Sequence, residues 1–301
     1  MMESIPVSVV IPARNRVSLI KASVTSVLDQ SCPAQEVIVV DDCSTDGTAD
    51  VVMQLPGVRV IRHAQPMGAQ AARNTGILAA RNEWIAFNDS DDFWLPNKLE
   101  IQHQRLTALR GSADVVLHSA GICVDNHSGI ASPLNIPAIE GDCYAKLLTR
   151  PGPMFQGMVV HRSKLQQIGF LDTHCPSYQE WDTAIRLARC AKFSFIGQPL
   201  FCWHRHGEGS ISDDRNRDFS GYCYVTSKHK AEIERILGPS GWRAVRGRAL
   251  ARGLGLRCFE DVCEYVGASP LLTVETIAVM LAKHEIGGRW PAALIRILGT
   301  L

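Results

Sequence analysis

Val7-Ser-Val-Val-Ile-Pro-Ala-Arg-Asn-Arg-Val-Ser-Leu-Ile-Lys-Ala-Ser-Val-Thr-Ser-Val-Leu28 carries two different periodicities on either side of one polar loop. Val7–Ile11 is short, β-branched and apolar, the composition of a strand buried on both faces. Pro12–Arg16 is polar, and after it Val17, Ile20, Val24, Val27 and Leu28 fall at helical spacing. The unit then repeats. Glu36–Val40 reads as a second buried strand ending in Asp41-Asp42, and Ser44–Thr48 supplies turn and cap chemistry for a helix to about Leu55. Val58–Ile61 is a third strand, residues 68–81 a third helix and Trp84–Phe87 a fourth strand. Pro96 suits the first turn of a helix carrying Leu99, Leu106 and Leu109. Alternation at this pace predicts an α/β fold with a doubly wound, mostly parallel sheet flanked by helices.

Ligands of such sheets bind beyond the carboxyl ends of the strands. Three polar clusters fall there: Arg14-Asn15, Asp41-Asp42, and Asp89-Ser-Asp-Asp92. The last packs three carboxylates into four positions. Mutual repulsion demands a reason for keeping them together, and a hard divalent cation sharing oxygen ligands with a phosphate is the commonest. An acidic turn capping the next helix is the plain alternative. Convergence of three clusters favours the cation. The first loop has no glycine, so it lacks the G-x-G-x-x-G turn that seats a pyrophosphate on a helix N-terminus. No GxxxxGK[ST] occurs either.

Composition narrows the class further. The 301 residues suffice for one large domain with an appendage. With 31 basic against 30 acidic residues, nothing suggests nucleic-acid binding. The ten cysteines are scattered without a CxxC pair, which predicts free thiols in a reducing, cytoplasmic setting. No secretory leader is visible, and no apolar run reaches the roughly 18 residues of a membrane span.

Beyond residue 110 the pattern loosens. Val115–Leu117 and Met158–Val160 read as strands, Leu171–Pro176 as a loop and Trp181–Ala191 as a helix. Long helical stretches follow at 217–237, 240–266, 270–285 and 290–300, broken at Gly238-Pro and Ala268-Ser-Pro.

Val7–Asp50, with Ser-Val-Val-Ile-Pro-Ala-Arg-Asn and Val-Val-Asp-Asp-Cys-Ser-Thr-Asp-Gly-Thr, resembles the opening of a family 2 glycosyltransferase of GT-A fold. The likeness continues through Ala72-Arg-Asn-Thr-Gly-Ile77, Phe87-Asn-Asp-Ser-Asp-Asp-Phe-Trp94, Ile168-Gly-Phe-Leu-Asp172 and Gln179-Glu-Trp-Asp182, and fades after about Ser212. It covers roughly 210 residues in several ordered motifs. It implies a catalytic domain over 1–215, with a nucleotide half at about 1–110 and an acceptor half at about 111–215, followed by a helical region over 216–301. The implied activity is metal-dependent, inverting transfer of a hexose from a nucleotide-sugar to an acceptor hydroxyl, in polysaccharide or glycoconjugate synthesis. A UDP-sugar is the expected donor; a sugar, a lipid-linked group or another hydroxyl compound is the acceptor.

The resemblance also implies roles. Asp89-Ser90-Asp91 matches the DXD motif, which binds Mn²⁺ or Mg²⁺ bridging the donor phosphates, with Asp91 the firmest ligand, Asp89 a direct or water-mediated one, and Asp92 left to orient the loop and cap the helix. Pro12, Arg14, Asn15 and Asp42 match positions lining the nucleotide, with Asp42 accepting from the base, and Arg73 matches an arginine near base or phosphates. The family usually writes Glu-Asp-Trp-Asp where this chain has Gln179-Glu-Trp-Asp182, so Glu180 falls on the general base, with Asp182 as the alternative. A histidine of the segment Trp203–Ser212 reaches the metal; His206 matches it best, with His204 the other choice. Gln65-Pro-Met-Gly68 stands where Asn-x-Gly is common, a departure at the base pocket.

Trp94 and Trp181 offer flat rings for a sugar acceptor. Arg243, Arg246, Arg248, Arg252 and Arg257 lie among apolar residues and interspersed acids. That pattern suits a structural cap, which packs on the sheet or a second subunit, or peripheral contact with the inner face of a membrane. A non-catalytic nucleotide-sugar-binding or scaffold protein is the competing function, and the Gln179-Glu180 departure is its only support.

Overall fold

The structure is a computed structural model, and it describes residues 4–125, 128–205, 214–256 and 265. These form two compact units, one of residues up to His174 plus those from Gln179 to Arg205, the other of Cys175–Tyr178 plus those from Asp214 onward.

The first unit begins with β1 (Ile5–Ala13), α1 (Ile20–Leu28), β2 (Ala34–Asp41), α2 (Thr48–Met53), β3 (Val58–Arg62), α3 (Ala69–Ala79) and β4 (Trp84–Phe87). After these come β5 (Phe93–Trp94), α4 (Lys98–Ala108), β6 (Val115–Asp125), β7 (Ala131–Pro133) and α5 (Tyr144–Leu147). A 3-10 turn at Phe155–Gly157 leads into β8 (Val159–His161), α6 (Arg162–Gln167), α7 (Gln179–Leu187) and β9 (Lys192–Arg205). The strands form one sheet in the order β3-β2-β1-β4-β8-β6-β9-β5, with β7 beside β6. β1 to β4 are parallel, as are β6 and β9, while β8 runs antiparallel between β4 and β6. This is the mostly parallel, helix-flanked sheet that the alternation predicts.

The apolar runs behave as doubly buried strands should. Val9, Val10, Ile11, Val39 and Val40 have no exposed surface, and Ile20, Val24 and Val27 turn one face of α1 onto them. β1 pairs with β2 on one side and β4 on the other, so the chain leaves β1 in opposite directions across the sheet. That switch point puts the loops after β1, β2 and β4 around one crevice.

The long β9 escapes the sequence pattern. Gly197-Gln-Pro199 interrupts its apolar run, and its pairing with β6 slips at Ser119–Ile122, so no single alternation spans the strand. α4 begins at Lys98 with Asn97 at its N-cap, two residues beyond Pro96.

The second unit holds α8 (Arg215–Lys228), capped by the Asp214 carboxylate accepting from Arg217 N–H at 3.0 Å, and α9 (Lys230–Leu256). The helix expected over 217–237 is broken at His229. The break expected at Gly238-Pro239 is present: Gly238, at φ 70° and ψ 178°, leaves the helical region, so α9 is two helical segments meeting at a kink. The helices expected at 270–285 and 290–300 lie outside the described residues, as does His206.

Candidate functional site

The loops after β1 and β2 are tied into one surface. Asn15, at φ 50°, donates its main-chain N–H to Ser44 Oγ (2.9 Å) and accepts Thr45 N–H on Oδ1 (3.0 Å). Arg16 N–H reaches Thr48 Oγ1 at 2.8 Å, and Val17 N–H reaches Asp46 Oδ2 at 3.0 Å. Arg14 is exposed on this surface and Pro12 is buried beneath it.

Asp42 is buried at the end of β2 and holds the loop before α3. Its Oδ1 accepts from Met67 N–H (2.7 Å) and His63 Nδ1 (2.8 Å), and its Oδ2 from Gly68 N–H (2.8 Å). Burial opposes ionisation there. The Met67, His63 and Gly68 hydrogen bonds outweigh it and hold the carboxyl below the usual carboxylate range. Most of the acceptor capacity expected to meet a base is thus spent on the Gln65–Gly68 segment, where the chain departs from the family's usual sequence.

The acidic loop after β4 is stapled by polar residues on the inner face of α1. Ser23 Oγ donates to Asp89 C=O at 2.8 Å, and Asn88 Nδ2 donates to Ser23 Oγ at 3.1 Å. Ser26 Oγ accepts Trp94 N–H at 3.1 Å, and Gln30 Oε1 accepts Leu99 N–H at 3.0 Å. Ser90 is buried within the loop. The three carboxylates then take different partners. Asp89 pairs through Oδ1 with Arg73 Nη2 and accepts on Oδ2 from Gln156 Nε2 at 2.8 Å. Asp91 lies 3.4 Å from Arg16 Nε with 24% of its side chain exposed.

Asp92 is 1% exposed and accepts from His204 main-chain N–H (2.9 Å) and from Gln156. Burial, then the Asp89 and Asp91 charges, push the Asp92 carboxyl well up. Asp92 therefore orients the loop, as expected, but it does not cap α4, because Asn97 occupies that position.

Arg73 is 5% exposed, so it is no surface helix arginine. Its Nη1 donates to Gln70 Oε1 at 2.8 Å, and its guanidinium lies 4.7 Å above the Phe155 ring. Glu180, in the first turn of α7, is partly exposed. Dense protein around its carboxyl pushes the pKa up; its own N–H and the Arg73 charge pull it down, and the Asp89 charge adds to the rise. Arg73, Asp89 and Glu180 thus feel one another electrostatically.

Asp182 has no exposed surface and accepts from Arg186 Nε at 2.8 Å, while Arg186 Nη1 donates to Ile168 C=O at 2.8 Å. The pair clamps the chain before α7.

Two expectations are corrected here. Trp181 is wholly buried, with Nε1 donating to Leu147 C=O at 2.6 Å, and Trp94 is 3% exposed with Lys98 Nζ 3.9 Å from its ring. Neither ring presents a face to an acceptor sugar; both are core. His204 gives its N–H to Asp92, and its ring meets Phe93 edge-on at 5.0 Å between centroids. Gln156 was missed because a lone glutamine in an irregular stretch carries no spacing signal. An apolar pocket lined by Ile5, Val7, Trp84 and Leu106 lies at the opposite, N-terminal ends of β1 and β4, away from the carboxylates.

Among the described residues no three His, Cys, Asp or Glu side chains are placed to hold a metal ion by themselves. No helix of those residues is long and apolar enough to cross a membrane.

Residues 8–154 match the sequence model of "Glycosyl transferase family 2". A glycosyltransferase named for teichuronic acid biosynthesis, TuaG of Bacillus subtilis (strain 168), is 45% identical over 100 residues. That match spans 32% of this chain and only 40% of the relative. The UDP-Glc:alpha-D-GlcNAc-diphosphoundecaprenol beta-1,3-glucosyltransferase WfgD of Escherichia coli is 28% identical over 225 residues, 72% of this chain and 83% of the relative. Among solved structures, the mannosyltransferase PcManGT of Pyrobaculum calidifontis, in complex with GDP-Man and Mn²⁺, superposes with a TM-score of 0.61 at 19% identity. It covers 99% of this chain and 82% of its own. S. aureus TarS 1-349 in complex with UDP-GlcNAc gives 0.59 at 16% identity, covering 82% and 81%. The fold is GT-A, and the matched family and the relatives' names together support a family 2 glycosyltransferase.

Proposed function

We propose that the chain is an inverting, metal-dependent hexosyltransferase that moves a sugar from a UDP-sugar to an acceptor hydroxyl in polysaccharide or glycoconjugate synthesis. One observation carries the reading: Asp89 of the loop after β4 pairs with Arg73 of α3, both act electrostatically on Glu180 of α7, and neighbouring Asp91 meets Arg16 of the loop after β1. Nucleotide binding belongs to Pro12, Arg14, Asn15, Asp42, Arg73, Asp89 and Ser90, within residues 1–110. The acceptor half spans 111–215, and residues 216–301 form a separate C-terminal region.

The donor set fits Mn²⁺ or Mg²⁺ in one particular way. Asp89 and Asp91 offer hard carboxylate oxygens, with 28% and 24% of their side chains exposed. With no third protein ligand grouped there among the described residues, the ion would share its coordination with the donor diphosphate. In this reading Asp91 is the firmer ligand and Asp89 a direct or water-mediated one. When bound, the cation offsets charge on the departing nucleoside diphosphate.

The rest is the chain's own work. Glu180 takes the acceptor hydroxyl proton while that oxygen attacks the anomeric carbon from the face opposite the diphosphate, whose bond to that carbon breaks. Its raised pKa suits a base operating nearer neutrality. Asp182, buried and paired with Arg186, is a structural residue in this reading. The non-catalytic alternative would leave a carboxyl with a raised pKa, within the fields of Arg73 and Asp89, for no purpose. The WfgD name contains a diphosphoundecaprenol-linked sugar, and an acceptor of that class is the one inferred for this chain.

Calorimetric titration with UDP, with and without Mn²⁺, tests the core of this. Wild type should bind UDP at least tenfold more tightly with the metal, about 1.4 kcal/mol, and Asp91→Asn should abolish that difference. Equal metal-dependent tightening in the variant would remove Asp91 from the site.

A further inference from the structure

The 3-10 turn Phe155–Gly157 stands behind the site, and nothing in the roles above uses it. Gln156 is 3% exposed, and its Nε2 amide sits between two carboxylates, 2.8 Å from Asp89 Oδ2 and closer still to Asp92 Oδ2. The amide nitrogen is the end that lies between them, and its two N–H groups serve one carboxylate each. A neutral amide with two donors relieves their repulsion without adding a positive charge that would compete with a cation.

The turn itself is held rigidly. Gly157 C=O accepts from Gln102 Nε2 at 2.9 Å, and a Cβ at Gly157 would meet Phe201 and Ser119 main chain at 3.1 Å. Phe155 packs against Phe87 of β4 at 5.3 Å and lies under the Arg73 guanidinium. Both partners of Asp89 are therefore set by adjacent residues of one immobile turn: Gln156 directly, and Arg73 through the Phe155 ring.

We propose that Gln156 is a positioning residue that fixes Asp89 relative to Asp92, holding the acidic loop in the geometry that receives the cation and diphosphate. The inference rests on the metal-dependent reading above and adds to it a residue outside the acidic motif. A hydrogen bond to an ionised group governs roughly ten- to a hundredfold in an equilibrium, so its loss should be easy to read in UDP binding.

The test uses Gln156→Met, which keeps the length and volume and removes both donors, beside Gln156→Ala. UDP binding is measured by calorimetry with and without Mn²⁺, alongside the melting temperature without ligand. Met should lose about as much metal-dependent UDP tightening as Ala, roughly tenfold or more. Tightening by Met within twofold of wild type, with Ala alone impaired, would assign Gln156 to packing and overturn the proposal.

Should Gln156→Met not fold, because Asp92 is left buried with the His204 N–H but without the Gln156 donor, Asp92→Asn and Asp92→Asn/Gln156→Met form the second comparison. There the double variant should still bind UDP–Mn²⁺ about tenfold more weakly than the single; equal binding overturns the proposal. A wild type whose UDP binding ignores Mn²⁺ would instead bring down the metal-dependent reading, with GDP run as the second nucleotide. The two failures are thus separate.

Discussion

At the residue scale, Glu180 combines two opposed demands. As a base it must ionise, and the protein around it resists ionisation, with the nearby Asp89 charge adding to that resistance. A carboxyl whose folded pKa is raised contributes its full stability below its unfolded pKa and loses it as pH rises through the folded value. Glu180→Gln should therefore melt higher than wild type at neutral pH, with the gain shrinking towards acid. The same variant should keep UDP binding and lose transfer by roughly a hundred- to ten-thousandfold. Wild-type turnover should rise with pH through a midpoint above the ordinary carboxylate range. A Glu180→Gln enzyme with near-normal turnover would move the base elsewhere.

At the element scale, α3 carries Arg73 to Asp89 and lies unusually close to β1. A Cβ on Gly76 would fall 2.4 Å from Val10 Cγ1, so the helix meets the sheet at a position where only glycine fits. Gly76→Ala should cost about 1–3 kcal/mol by overpacking. For a chain of this size that is a fall of about 2–4 °C in Tm per kcal/mol. Val10→Ala made together with it should recover part of the loss, because it removes the methyls being struck. Additive losses in the double variant would show that the clash is relieved in some other way. Nucleotide affinity should fall along with stability in Gly76→Ala, since displacing α3 displaces Arg73.

At the scale of the whole molecule, the second unit has its own internal lock. Arg252 of α9 makes two contacts with the Asp218 carboxylate of α8, one of them from Nη2 to Oδ2 at 2.6 Å. Its guanidinium lies 5.2 Å from the Tyr178 ring and 5.8 Å from the Tyr222 ring. Tyr178 Oη also donates to Asp218, at 3.1 Å. Partial exposure of Arg252 screens the pair, so Asp218→Ala should cost about 1–2 kcal/mol. Hydrogen exchange should show that loss at amides of 215–256 and leave those of β1, β2 and β4 protected as before. Uniformly faster exchange through the sheet would contradict a lock internal to this unit.

How much of this was legible in the chain follows from the range of each interaction. Buried parallel strands need β-branched runs, and amphipathic helices need one apolar face; both requirements act within a few residues, so β1 to β4 and their helices are written in the sequence. Strand order in such a sheet then places Asp42, Asp89 and Asp91 at one edge. β9 was hidden because a bulged strand breaks its own periodicity. What only the tertiary structure decided is which neighbour each polar group meets. It turned Trp94 and Trp181 inward and spent the Asp42 oxygens on Met67, Gly68 and His63. It also brought Gln156, 64 residues from Asp92 along the chain, between two carboxylates. A hydrogen bond across such a separation leaves no local pattern in sequence, because the partner's position is fixed by the packing of the sheet and not by the residues beside it.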